Sequence, residues 1–207
     1  RTAKPAGRPL VLAAERVELN LPTGRGAVRE ASLTLGENTM RANAALRDLP
    51  ALRKALRAAA PAGLVNGLAR VRADGTWHLR DPDALRELLG PAPAGLPALA
   101  EADGVLEGAW SLDPSRPQHV HATVRSPADA ALTLGGFHKP AGMALRAQIL
   151  ARLDGDGGGL ADIECDVALG EPGAAAGAGR VFVRDGSLQP EAGGLVGRAR
   201  IEVRKIE

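Results

Sequence analysis

The sequence has no tyrosine, two phenylalanines and two tryptophans in 207 residues. Surfaces for stacking sugar rings or unpaired bases are therefore nearly missing, which argues against a glycosidase or a reader of single-stranded nucleic acid. A single cysteine, Cys165, excludes an internal disulfide. No stretch approaches the roughly 18 consecutive apolar residues that a membrane-spanning helix needs, and no charged, apolar and small-residue leader opens the chain. Also missing are a glycine-rich phosphate cradle followed by Lys and Ser or Thr, a Gly-x-Ser-x-Gly elbow and a His-Glu-x-x-His helix. These absences describe a non-enzymatic chain with no cofactor requirement.

Charge is plentiful but balanced. Lys and Arg number 26 against 24 Asp and Glu, and the signs are interspersed, as in Glu15 and Arg16, Arg29 and Glu30, Arg86 and Glu87, and Arg200 and Glu202. Nucleic-acid binding needs clustered cations, so that partner class is excluded as well.

What the sequence does have is alternation. In the stretch 104–124, Leu106, Trp110 and Leu112 fall on one face of a pleated strand, and Asp113, Pro114, Ser115, Arg116 and Pro117 stop it. A return strand follows, with Val120, Ala122 and Val124 on one face and His119, His121 and Thr123 on the other. GTWHLRDP at 75–82 echoes GAWSLDP at 108–114, and SLTLG at 32–36 echoes ALTLG at 131–135, the spacing of stacked repeat units. With so few aromatics the core is built of Ala, Leu and Val, which suits one sheet with short helices better than a thick sandwich.

Leu10 to Ala14 and Val17 to Leu21 read as one strand or a bulged strand, and 27–36 with 38–46 as a hairpin whose apolar face is Met40, Ala42, Ala44 and Leu46. Asp48 caps a helix carrying Leu49, Leu52, Leu56 and Ala59 on one side, with Pro50 in its first turn. A long strand over 65–80 is expected to break near Asp74 and Gly75. Asp81 and Pro82 then repeat the cap for a second short helix ending at Gly90. The proline-rich segment 91–99 reads as a crossover between two sheet segments within one elongated domain spanning 1–207, with a domain boundary as the alternative. Beyond residue 131 come further strands, the last four forming an antiparallel meander. The expected class is mainly β: an elongated, largely antiparallel sheet, groove- or half-barrel-like, of ten to twelve strands with two short α-helices.

Three motifs carry potential chemistry. His119 and His121, two apart on a strand, would project from one face as metal ligands do, but they lack a third ligand nearby. DGDGGG at 154–159 resembles the opening of a calcium loop without its later bidentate acid, and reads as a hairpin turn. Cys165 alternates with Ile163, Val167 and Leu169 and reads as a small apolar residue. No metal site is assigned.

The phrase LPALAEADGVLEGAWSLDPSRPQHVHATV, with its leucine-rich lead, Gly-x-x-x-Gly strand, Pro-containing turn and return strand, resembles the AsmA-like and TamB-like proteins of the Gram-negative envelope. The matching positions are Leu96, Leu99, Gly104, Gly108, Leu112, Pro117, Val120 and Val124, and the likeness extends loosely over 10–135. The resemblance implies a bent sheet whose apolar inner face holds lipid acyl chains between inner and outer membrane. It also implies a periplasmic location and a membrane anchor outside this stretch, with both ends of the sequence falling in mid-pattern. On that reading the groove is lined by Met40, Leu46, Val71, Leu106, Trp110, Val124, Leu145, Ile149, Ile163 and Val181. The same residues also suit a closed core against the two helices. The alternative function is a structural or adaptor module of an envelope or type II secretion-like assembly, binding other proteins through sheet edges.

Overall fold

A computed structural model describes residues 9–57, 67–84, 103–134, 137–154, 159–170, 178–191 and 194–206. Fourteen strands are found among them. The largest sheet is an open one of eleven strands, and nearly every strand is hydrogen-bonded to its neighbour in sequence. At one edge β1 (Leu10–Ala13) and β2 (Arg16–Asn20) lie end to end along β3 (Arg25–Leu35). The sheet then continues through β4 (Asn38–Leu46), β5 (Val71–Leu79), β7 (Leu106–Leu112), β8 (Val120–Ser126), β11 (Leu145–Asp154), β12 (Gly159–Leu169), β13 (Ala178–Glu191) and β14 (Gly194–Ile206). All pairings are antiparallel, and the sheet does not close into a barrel. A second sheet consists of β6 (Asp103–Gly104), β9 (Leu132–Leu134) and β10 (Phe137–Lys139).

The mainly β, antiparallel, unclosed architecture is the one the alternation implies. The strand count exceeds the expected ten to twelve for two reasons. The first strand splits after Ala13, and the short runs around 103 and 132–139 form their own sheet instead of joining the meander.

Helix α1 (Leu49–Arg57) begins as its sequence requires, with the Asp48 Oδ1 accepting from the Ala51 N–H at 3.0 Å. Arg70 adds an ion pair to the same carboxylate at 3.1 Å. The formula recurs at Asp81, whose Oδ1 accepts from the Ala84 N–H at 3.0 Å to open a helical turn at 82–84. The remainder of that expected helix, the 91–99 linker and the positions Leu96 and Leu99 lie outside the described residues. Strand β5 before the linker and β7, which follows it after the two-residue β6, are direct neighbours in one sheet.

One expectation about β5 fails instructively. The strand starts only at Val71, after a helical turn at 67–68, and runs unbroken through Asp74 and Gly75. Gly75 is needed inside the strand because it lies directly opposite Trp110, and a Cβ there would come within 2.9 Å of the indole Nε1 and collide with the Arg41 carbonyl. Gly108 stands in the same relation to Trp77: its Cβ would lie 2.7 Å from the ring and against the Thr123 carbonyl. The Gly-x-Trp echo is thus a reciprocal fit between two adjacent antiparallel strands, each glycine making room for the other strand's tryptophan. The SLTLG and ALTLG echo has no such meaning, since one copy ends β3 of the large sheet and the other forms β9 of the small one.

Candidate functional site: an apolar face across the sheet

Because side chains alternate and the registers are continuous, apolar residues of successive strands line up across the sheet. One lane runs Leu12, Leu33, Met40, Trp77, Gly108, Val124, Ala147, Val167, Val181, Val203, each directly opposite the next. It contains no polar side chain. A second lane beside it runs Ala31, Ala42, Gly75, Trp110, Ala122, Ile149, Cys165, Val183, Ile201. The register is kept across bulges: in β3 between Val28 and Ala31, and in β12 and β13 near Asp162 and Asp185. Glu30, Asp162 and Asp185 take φ values of 49, 51 and 52° at these places, absorbing the extra residue so that the apolar side is not exchanged for the polar one.

All ten residues expected to line a groove lie on this face, but in different surroundings. Met40 is exposed, while Val71, Trp110, Val124, Ile149, Ile163 and Val181 are half-buried. Leu46 is half-buried at the end of β4. Leu106 and Leu145 are buried, packed with Leu132. Those two belong to a closed core, not to an open surface.

Two apolar clusters occupy the middle of the face. One joins Leu112 and Leu153 with Val71, Trp110, Val120 and Leu160; the other joins Leu106, Leu132 and Leu145 with Trp77, Leu79, Val124 and Leu169. Toward both edges the cover ends. Leu12 is 79 % exposed, Val17 60 %, Ile201 67 % and Val203 73 %.

Leu132 reaches the second cluster from β9. Its sheet is braced by Lys139, whose side chain is completely buried and whose ammonium donates to the carbonyls of Pro127 at 3.0 Å, Met143 at 2.7 Å and Ala130. Burial pushes the Lys139 pKa down, with Asp129 opposing. Nothing in HKPAG marks this lysine as internal, so sequence reasoning had no signal for it. Ser126, at the end of β8 opposite Leu145, is buried, and its hydroxyl has no hydrogen-bond partner among the described residues.

The opposite face is polar. Arg180, Arg184 and Arg204 surround the Phe182 ring at 5.0, 5.4 and 5.2 Å from its centroid, with Arg180 paired to Asp166 and Arg204 to Glu202. The two histidines separate. His119 precedes β8, and its Nδ1 accepts from the Leu153 N–H at 3.1 Å, whereas His121 sits on the polar face 3.3 Å from the Gln148 amide. The expectation that both project from one strand face is corrected, because β8 begins only at Val120. No group of three or more His, Cys, Asp or Glu converges among the described residues. Of DGDGGG, Asp154 and Gly159 are paired across β11 and β12, and 155–158 lie outside the described residues. Cys165 is half-buried in the second lane, and burial raises its thiol pKa, with Asp166 adding to it, the reverse of what a nucleophile needs.

Compared with protein-family models, curated proteins and solved structures, the chain matches none.

Proposed function

We propose that this chain is a non-enzymatic β-groove module that holds lipid acyl chains on the apolar face of its open sheet, as part of a periplasmic envelope protein of AsmA-like or TamB-like build. The observation that carries this reading is the lane from Leu12 to Val203, apolar at every step and uncovered toward both edges. At roughly 4.8 Å between strands its contour is on the order of 43 Å, against about 15 Å for the hydrocarbon depth of one bilayer leaflet. The lane is longer than one acyl chain, open at both ends and covered at its centre. Burial at about 25 cal/mol per Å² supplies affinity without any reactive group.

Native mass spectrometry of the purified chain should show co-purified lipid. Met40→Glu, on the exposed part of the first lane, and Ile149→Glu, half-buried in the second, should each abolish it in a folded protein. Retention of lipid by both folded variants would sink the reading. A charge at Leu106 tests the core instead, since Leu132 covers it.

A second reading, a protein-binding adaptor in an envelope or secretion assembly, draws on β14. This edge strand spans 13 residues and pairs on one side only among the described residues. Its outer edge could accept a strand from a partner. Recovery of a protein complex free of lipid would favour it.

A further inference from the structure

The small sheet of β6, β9 and β10 has no part in the antiparallel meander: β6 lies just before β7, and β9 and β10 leave the large sheet after β8 and return at β11. Its contact with the apolar face is made by Leu132, 2 % exposed and packed among Trp77, Val124, Leu106, Leu145, Leu79 and Leu169. Trp77 and Val124 are central steps of the first lane. Leu132 therefore stands where an acyl chain following that lane would lie. We propose that β9 and β10 form a lid with Leu132 as its apolar foot, and that an acyl chain reaching the centre of the face displaces it.

Two features fit a lid. It is internally braced, because all three carbonyls bound by Lys139 belong to the lid's own arms, and the Gly142 N–H donates to the Ala128 carbonyl at 2.6 Å across them. It can move as a unit without losing those bonds. Its tie to the rest of the chain through β6 is short, two residues paired to β9. Leu132 packs into the apolar cluster of the face, and an acyl chain offers the face equivalent apolar contacts. An acyl chain that can occupy the centre only when the lid is raised binds the open state alone, and this differential affinity is what shifts a two-state element.

The lid rests on the groove reading, and the test separates them. Hydrogen exchange read by mass spectrometry, with and without sodium oleate, should show faster exchange in β9 and β10 when oleate is present, while β7 and β8 stay protected. Leu132→Ala removes the competing foot and should tighten oleate binding about tenfold or more, as expected from the apolar surface of three carbons. If that variant does not fold, exchange in the wild-type chain decides alone. Oleate binding with unchanged exchange in β9 and β10 overturns the lid and leaves the groove. Absence of binding in both proteins overturns the groove and the lid together. Binding only in Leu132→Ala supports a lid that is closed tightly in the wild type.

Discussion

The centre of the large sheet and its two flanks are written in the same alternating pattern, yet only the centre is a core. Leu112 and Leu153 in the middle are 8 and 6 % exposed, while Leu12 and Val203, on the same face, are almost fully open. Alternation decides which side of a strand is apolar; cover from another element decides whether that side is an interior. At the centre the cover includes Leu132 from the small sheet and the interlocked tryptophans. At the flanks the described residues provide none.

The contrast can be broken most severely at the tryptophans. Gly108→Val drives a branched side chain into the Trp77 ring and the Thr123 carbonyl, and the expected loss is about 3 kcal/mol or more in urea unfolding. Next in size is a matched pair. Leu112→Ala should cost about 2–5 kcal/mol through the cavity it leaves, and Leu12→Ala no more than about 0.5 kcal/mol. Equal costs would mean that the flank is covered in solution.

A pH-dependent effect is expected at the centre. At the end of β7 the buried Asp113 carboxylate accepts from the Ser115 hydroxyl at 2.6 Å and the Ser115 N–H at 3.1 Å, with Arg72 and Arg116 at 3.4 and 3.5 Å. These bonds, then the two arginines, hold its pKa below the ordinary 3.8 against the opposing effect of burial. A lowered folded pKa means a contribution to stability that is complete above the unfolded value and lost as pH falls through the folded one. Asp113→Asn should therefore be less stable than the wild type by a constant amount from neutral pH to about 4, with the gap closing below. A gap that persists undiminished to pH 2 would assign the cost to turn geometry instead.

The smallest expected effect sharpens the flank. Val203→Glu should shift stability by no more than about 0.5 kcal/mol, since the carboxylate stays in water, while lowering the binding of an apolar fluorescent dye. Unfolding by this change would place Val203 in an interior.

The apolar face was readable from sequence because a period of two survives any error in strand ends. The ten expected liners share that face for this reason, although strand boundaries shifted at Val71 and Val120. What could not be read was cover. Gly75 after Asp74 looks like a break, and only the register against Trp110 shows why a strand interior wants it. Leu132 and Lys139 sit in a three-residue strand each, too short for a period, and their burial depends on contacts far along the chain. Leu106 suited both an open groove and a closed core in the sequence, and the structure buries it against Leu132.

A last consequence concerns load. Strands of the large sheet follow one another in chain order, so β1 lies at one edge and β14 at the opposite one. Tension applied through these two strands pulls across the ladders and opens hydrogen bonds a few at a time, as a zipper does, instead of shearing a whole strand at once. The sheet should consequently peel from its flanks under modest force and re-form in sequence order, since each strand's partner is close in the chain.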